Sequence, residues 1–367
     1  IGWEGEPFDH RDDVYDYFAE KRQEDNKSFE KWKSNLDNKL KNDGSFKKLW
    51  EQFEKNELSF PESFEIQEAA TRVTGGNYLK LIGLENKFVL GGSADLSAST
   101  KQIISEESYT SENRHGQNIE FGIREHSMAA VVNGISLHSN LFSFGSTFLV
   151  FSDYMRPSIR LASLMNLNSA YIFTHDSIYL GEDGPTHQPV EHLMSLRLIP
   201  GLDVIRPSNS VETIYAYKYL FSNTKNPKVL SLTRQNLKFL DYDVDYSDFL
   251  NGGFIISKGE DLTIFASGSE VNLALEIKET LKEYSVQVVS VPILNKLTPK
   301  ISESLNNNKL TFTIELGKAA GWSDYIGNIT ESFSVQTFGK SAPENDLAEF
   351  FNVNAESIGK KIRNYLG

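Results

Sequence analysis

The chain has 367 residues and no cysteine, and its 50 acidic residues against 37 Lys and Arg give a formal net charge of −13. This length predicts two domains, or two with a connecting segment. The composition excludes disulfides, thiolate nucleophiles and Cys-ligated zinc, and the charge disfavours unspecific binding to nucleic acid or anionic membranes. No apolar run approaches the roughly 20 residues that span a bilayer, and no signal peptide is visible, so we expect a cytoplasmic protein.

Residues 1–61 predict a helical connector. After the opening IGWEGEPF, aromatic and aliphatic residues recur at helical spacing in a segment rich in Lys, Glu, Asp and Asn. The turn Asn42-Asp43-Gly44 divides it into helices that we expect to lie across a larger body. Because the first residue is Ile1 and not Met, we expect the chain to be cut from a longer protein.

Residues 62–236 predict an α/β domain. Helices are expected at about 63–83, after the IREH segment and from about 147 to 165, and strands at KFVLGGSADL, SAYIFTH and KVLSLTR. After a linker at 237–252, residues 253–367 repeat the alternation with LTIFASG, a helix at 270–284, VQVVSVP and LTFTIEL. The predicted fold class is therefore α/β, with two consecutive domains, each a mainly parallel sheet with helices on both faces.

Three polar segments follow predicted strands directly: GGSAD, THDS and TRQN. In open parallel sheets, ligands bind beyond the carboxyl ends of the strands. We therefore look for a binding site in these segments first.

The segment THDSIYLGEDGPTHQPVEH, residues 174–192, holds three of the seven histidines and several carboxylates. It could be a surface loop whose polar residues cap the next helix. It could also be a metal site, although the usual ligand spacing is missing. A third interpretation is a cluster of acid–base and hydrogen-bonding groups that face a polar substrate.

Other candidates also have two interpretations. Glu125 opens a predicted helix and is either a first-turn acid or a ligand for a ring edge. Phe148, Phe151 and Tyr154, at three-residue spacing on the predicted helix, either pack in a core or form the wall for a flat ring. Arg234 follows a strand and is either a surface ion pair or a phosphate ligand.

Together these segments resemble transketolase. The matching strings, in the family's order, are GGSADLSAS, NIEFGIREHSMAAVVNGIS, TFLVFSDYMRPSIRLASL, THDSIYLGEDGPTHQPVEHL, RPSNSVET, SLTRQNL and FGKSAPENDLAEFF. The resemblance covers nearly the whole chain and implies the family's middle, pyrimidine-binding domain followed by its C-terminal domain. GEDGPTHQP is the most specific string.

The resemblance implies thiamine diphosphate as cofactor. Glu125 matches the carboxylate that bonds the aminopyrimidine ring, and Phe148, Phe151 and Tyr154 match the pocket around that ring. Asp95 is expected near the thiazolium ring.

The resemblance also implies sugar phosphates as substrates. Arg72, Ser99, His175 and Arg234 match the residues that bind the sugar phosphate. Two further residues complete the implied site: Asp183, which reads the configuration at the C2 hydroxyl, and His187, near the reacting hydroxyls. Glu125, His175 and His187 are the implied catalytic residues.

The family's first domain holds Mg²⁺ and the diphosphate with a GDG segment, and no GDG string occurs in this sequence. We expect no metal ligand in this chain, half of an active site, and no activity without the missing N-terminal domain and a second subunit of a homodimer. The implied parent reaction is transfer of a two-carbon ketol unit between sugar phosphates in the pentose phosphate pathway. Alternatives are a dihydroxyacetone-synthase-like variant, a catalytically silent homologue and a naturally split enzyme.

Overall fold

The computed structural model describes residues 2, 4–66, 68–240, 242–306 and 308–367. The chain forms two compact units, which meet in sequence between Glu57 and Leu58. Across the described ranges, no helix is both long and apolar enough to cross a membrane. Ile1 and Trp3 of the opening IGWEGEPF lie outside the described residues.

The first unit contains two helices, α1 (Asp12–Asn42) and α2 (Gly44–Lys55). The Asp43 carboxylate accepts hydrogen bonds from the backbone N–H of Ser45 at 3.1 Å and of Phe46 at 2.9 Å. It thereby caps α2 and separates the two helices, as the turn at this position predicted. Neither helix has a buried residue. The packing of these helices across a larger body stays a prediction.

The first sheet contains five parallel strands among the described residues, in the order β1-β2-β3-β5-β4. They are β1 (Val89–Ser93), β2 (Phe142–Phe148), β3 (Ala170–Thr174), β4 (Asp203–Ile205) and β5 (Lys228–Leu232). The accompanying helices are α3 (Thr71–Glu85), α4 (Ser97–Thr100), α5 (Glu125–His138), α6 (Ser152–Leu164), α7 (His192–Arg197) and α8 (Ser210–Leu220).

Both faces of this sheet are covered. Tyr171 and Phe173 of β3 pack into one apolar cluster with residues of α5 and α6. Successive side chains of a strand point to opposite faces, so Ile172, which is also fully buried, faces the other side. The predicted parallel sheet with two covered faces is confirmed.

In this part of the chain two helix boundaries differ from the prediction, and one strand was not predicted. The helix expected from about 147 begins as a 3₁₀ turn at Leu149–Phe151, and the preceding strand β2 was not predicted. Phe148 is therefore the last residue of a strand and does not share a helix with Phe151 and Tyr154. Ser143, Ser146 and Thr147 of β2 are buried but polar, so the sequence shows no apolar run there. The helix expected at about 63 begins at Thr71.

The second sheet has five described strands in the order β10-β9-β7-β8-β6. They are β6 (Phe254–Ser257), β7 (Leu262–Ala266), β8 (Val286–Ser290), β9 (Leu310–Glu315) and β10 (Glu331–Ser334). The helices are α9 (Tyr246–Leu250), α10 (Glu270–Thr280), α11 (Pro299–Leu305), α12 (Ser323–Ile326), α13 (Glu344–Phe350) and α14 (Ala355–Leu366). All pairs are parallel except β6 with β8, so the sheet is mainly parallel, as expected. The predicted boundaries between connector, domains and linker stay predictions.

A buried ion-pair chain connects the two sheets. The Arg206 guanidinium, which follows β4, donates from Nε to Asp176 at 2.8 Å. From Nη1 it reaches both Glu270 and the Ser267 carbonyl at 2.8 Å. All three charged side chains are at most 1% exposed. Burial alone would lower the pKa of Arg206, but Glu270 and Asp176 more than offset this and raise it.

We expect Arg206→Met to lower the free energy of unfolding by about 3–5 kcal/mol, because it leaves two buried carboxylates without their cation. The matched control is Lys282→Met, which removes an exposed ion pair between Lys282 and Glu279. The side chains of these two residues are 78% and 71% exposed, respectively. This change should cost less than about 1 kcal/mol. Urea unfolding of both variants checks the difference, and equal losses would contradict the prediction.

Candidate functional site

The polar segments predicted at strand ends do meet at one edge of the first sheet. β1, β2, β3 and β5 are neighbours and run parallel, and the last residues of three of them, Phe148, Thr174 and Leu232, lie in register. His175 follows β3 directly, Arg234 follows β5 by two residues and Asp95 follows β1 by two. This edge is where ligands bind in sheets of this kind.

Five of the predicted residues form a continuous row of rings. Phe148 stacks on His175 with ring centroids 3.7 Å apart, and on Phe151 with ring centroids 5.9 Å apart and an interplanar angle of 9°. Phe151 in turn stacks on Tyr154 at 6.1 Å. His187 contacts the edge of the row, 5.6 Å from Phe151 and 6.3 Å from Phe148. Tyr154 is 62% exposed, so the row runs from the surface to the buried His175.

His175 is held in an unusual position. Its φ of +59° is left-handed, a conformation that non-glycine residues seldom adopt outside special sites. Its Nδ1 lies 2.8 Å from the Thr174 hydroxyl, and the residue is 5% exposed. Burial, with the charges of Arg72 and Arg234 and the nearby His187, lowers the pKa of His175 to about 3. The ring is therefore neutral at physiological pH.

Two arginines flank this histidine. The backbone N–H of Thr71 donates to the Thr233 hydroxyl at 3.0 Å, and the backbone N–H of Thr233 donates to the Thr71 hydroxyl at 2.8 Å. These two hydrogen bonds hold the start of α3 against the end of β5. The next residue in each segment is an arginine, Arg72 and Arg234. Arg72 is half-buried and donates to the carbonyl of Ser99 in α4. Burial and the charge of Arg234 lower the pKa of Arg72.

Arg72 also has a buried Nε without a hydrogen-bond partner among the described residues. Two guanidinium groups held close together, one of them incompletely bonded, favour an anion between them. A phosphate group has the charge and the acceptor oxygens that this arrangement lacks.

Three further predicted site residues are not members of the row of rings. Glu125 is the first residue of α5, as predicted, and is half-buried. Asp95 is exposed and left-handed, with φ of +59°. Asp183 is exposed in the loop between Gly181 and Gly184, both of which have positive φ.

The loop that carries Asp183 and His187 is fixed by residues that the sequence analysis did not single out. The buried Gln188 side chain donates to the carbonyls of Ile178, Gly181 and Lys340 at 2.8–3.1 Å. Ser341 donates to the Glu182 carbonyl at 2.5 Å. Lys340 and Ser341 belong to the FGKSAPEN segment, so a contact between segments distant in sequence holds this loop.

Three side chains of metal-ligating type cluster between the first turn of α6 and the start of α7. Asp153, Glu191 and His192 bring one ligand atom each to within 4.8 Å of the others. His192 Nε2 is 3.1 Å from the Asp153 carboxylate, and its Nδ1 has no hydrogen-bond partner among the described residues. Glu191 and His192 belong to the segment 174–192 that the sequence offered as one possible metal site, whereas Asp153 lies outside that segment.

The electrostatics of His175 give a testable expectation. Its imidazole should stay neutral to about pH 3, whereas the unfolded chain titrates at 6.5. Between pH 3 and pH 6.5 the unfolded chain therefore binds a proton at His175 that the folded chain does not. The stability that the neutral His175 contributes is complete above pH 6.5 and is lost as the pH falls towards 3. NMR titration of labelled histidines measures the pKa directly.

The same titration has a matched pair of variants. Arg234→Ala should raise the pKa of His175 because it removes a nearby positive charge. Arg160→Ala, an exposed arginine of α6, should leave it unchanged. A His175 that titrates near 6.5 in the unmodified chain would show that the ring is not buried against these cations.

Comparison with known proteins identifies the family of this chain. A family model described as transketolase, pyrimidine binding domain, matches residues 67–239, and one described as transketolase-like TK C-terminal domain matches residues 252–354. A transketolase from Halalkalibacterium halodurans is 40% identical over 310 residues, 81% of this chain and 46% of the relative. The chain spans about half the length of the curated relatives it matches.

Solved structures give the same result. Transketolase from Leishmania mexicana matches with a TM-score of 0.87 and 30% identity, over 97% of this chain and 55% of that one. A structure named "Split gene transketolase, inactive beta4 tetramer" matches with a TM-score of 0.67 and 21% identity, over 81% of this chain and 98% of that one; it shows the shared fold alone. From the two domain matches and these relatives, the chain belongs to the transketolase family and carries its pyrimidine-binding and C-terminal domains.

Proposed function

We propose that this chain is part of an enzyme that transfers a two-carbon ketol unit from a ketose phosphate to an aldose phosphate with thiamine diphosphate, in the pentose phosphate pathway. The observation that carries the proposal is the row of rings from Tyr154 to His175, flanked by Arg72 and Arg234. One end of the row offers flat apolar faces and the other offers cations. A heteroaromatic cofactor beside a phosphorylated sugar requires both.

The cofactor side is formed by the rings and two carboxylates. Phe148, Phe151 and Tyr154 present nearly parallel faces on which a pyrimidine ring can pack. Glu125, half-buried at the start of α5, would accept a hydrogen bond from the pyrimidine ring, and Asp95 would lie near the thiazolium. When bound, thiamine diphosphate supplies the electron sink that stabilises the carbanion of the transferred unit.

The substrate side is formed by Arg72, Ser99, His175 and Arg234. Burial and the charge of Arg234 lower the pKa of Arg72, and a phosphate group would offset the repulsion between the two guanidinium groups. The neutral His175, with Nδ1 beside the Thr174 hydroxyl, keeps its Nε2 for a hydrogen bond to the sugar phosphate.

The loop between Gly181 and Gln188 would act on the sugar hydroxyls. Asp183 is exposed and would distinguish the configuration of the C2 hydroxyl. His187, at the edge of the row of rings, would donate hydrogen bonds and move a proton at the reacting hydroxyls.

The proposed site is half of a complete one. In this proposal Mg²⁺ and the diphosphate are bound by a separate N-terminal domain, the active site forms in a cytoplasmic homodimer, and the chain alone is inactive. The chain's coverage of about half of its relatives supports this.

Ketol transfer from xylulose 5-phosphate to ribose 5-phosphate, with thiamine diphosphate and Mg²⁺, tests the function. We expect no turnover by the chain alone and turnover once a transketolase N-terminal domain is added. In that complemented enzyme Glu125→Gln should lower kcat about 100-fold or more, because proton transfer at the cofactor depends on the carboxylate.

The control for Glu125 is Glu356→Gln, since Glu356 is an exposed first-turn acid of α14. If Glu125 only interacted with the helix dipole, both changes would have the same small effect. Turnover by the chain alone would contradict the half-site, and equal effects of the two changes would contradict the role of Glu125.

Arg234→Ala tests the phosphate contact. In the complemented enzyme we expect KM for xylulose 5-phosphate to rise about tenfold or more, since charge-assisted hydrogen bonds are lost. The KM for unphosphorylated xylulose should change little. Arg160→Ala is the control that removes an exposed arginine elsewhere. An equal rise of KM for both sugars would argue against a phosphate contact.

A further inference from the structure

A cavity lies where the loop after β5 meets helices that accompany the second sheet. It is a cleft of about 360 Å³, within the range of about 300–1,000 Å³ that is typical of small-ligand sites. Its walls come from the loop after β5, from α10, from α13 and from the start of α14. Among the described residues, its lining includes none of the rings and arginines of the proposed active site.

The wall of this cleft contains a side chain with unmet hydrogen-bonding capacity. Gln235 is 5% exposed, and neither its Nε2 nor its Oε1 has a hydrogen-bond partner among the described residues. Asn272 of α10 also lines the cleft, and its buried Oδ1 has no hydrogen-bond partner among the described residues. Its Nδ2 donates to the Ser208 carbonyl at 3.4 Å. An unpaired buried amide destabilises a fold, and a ligand can offset that cost.

The charges in the cleft limit what the ligand can be. Glu344 of α13 lines the cleft and is half-buried; burial raises its pKa, and Arg234 opposes this. Glu276 also lines the cleft, but its carboxylate is engaged by Lys238 at 2.6 Å. Among the described lining residues, a phosphate or carboxylate ligand would meet two carboxylates and one lysine that is already paired.

Of the unpaired amide groups and the Glu344 carboxylate named above, three are acceptors and one is an amide donor. Gln235 Oε1, Asn272 Oδ1 and the Glu344 carboxylate need donors, and Gln235 Nε2 needs an acceptor. An ammonium group only donates, so it would leave Nε2 unpaired. A hydroxyl both donates and accepts, and several hydroxyls on one small molecule can satisfy the whole set.

We infer that this cleft is a binding site for a small uncharged polyol, of the size of a free pentose, separate from the site proposed for sugar phosphates. The inference depends on the lining of the cleft and not on the proposed enzymatic activity. It assigns a ligand-binding role to the junction of the two sheets.

Xylitol is a suitable probe because it has five hydroxyls, no charge and no carbonyl group that ketol transfer could use. Saturation-transfer NMR and calorimetry on the chain as it stands should show saturable binding in the millimolar range. Inorganic phosphate should not displace it. The absence of saturable xylitol binding in that range, or displacement by phosphate, would overturn the proposal.

Gln235→Leu assigns the binding to the cleft. It should weaken xylitol binding at least tenfold and, because it removes an unpaired buried amide, raise the Tm of the free chain. Gln52→Leu, an exposed position on α2, should change neither quantity. A Leu variant that binds xylitol as tightly as the unmodified chain would overturn the assignment.

A second variant keeps the test valid if Gln235→Leu does not fold. Glu344→Gln preserves the shape of the wall and removes its strongest acceptor, so xylitol binding should weaken severalfold. Unchanged xylitol affinity in this variant would overturn the proposed contact with the carboxylate.

Discussion

The Arg206 guanidinium pairs with two carboxylates, one from a loop of the first sheet and one from a helix beside the second sheet. Asp176 comes from the loop after β3, and Glu270 is the first residue of α10 beside the second sheet. Because Arg206 and both carboxylates are at most 1% exposed, water cannot replace the cation. Asp176 follows His175 directly in sequence, so the interaction that joins the two sheets also fixes the backbone next to the histidine of the site.

The C-terminal part of the chain supports the site at a second place. Lys340 and Ser341 contact the loop that carries Asp183 and His187, through Gln188 and the Glu182 carbonyl. A Cβ atom at Gly339 would lie 1.6 Å from Gln188 Oε1, so only a glycine allows this approach. The segment that follows the second sheet thus has a structural role in the site. The proposed cofactor and substrate residues all lie in the part of the chain that forms the first sheet and its helices.

The first sheet concentrates chemistry at one edge because its strands are parallel. Each strand ends at the same edge, and the residues that follow four neighbouring strands therefore converge. The convergence places a neutral imidazole between stacked rings and two guanidinium groups. The left-handed backbone of His175 is the local strain that this position requires, and the surrounding packing holds it.

The sequence by itself determined the class of fold, the helix that Glu125 opens, and the strand ends where GGSAD, THDS and TRQN lie, because these depend on local periodicity and on turn residues. It did not reveal β2, whose buried serines and threonine give no apolar pattern, and so it placed Phe148 on a helix. The tertiary structure alone decided the stacking of Phe148 on His175, the pairing of Arg206 with Asp176 and Glu270, and the unpaired amide of Gln235. The stacking and the pairing are contacts between residues far apart in the chain, and both they and the unpaired amide depend on burial that only the packed sheets create.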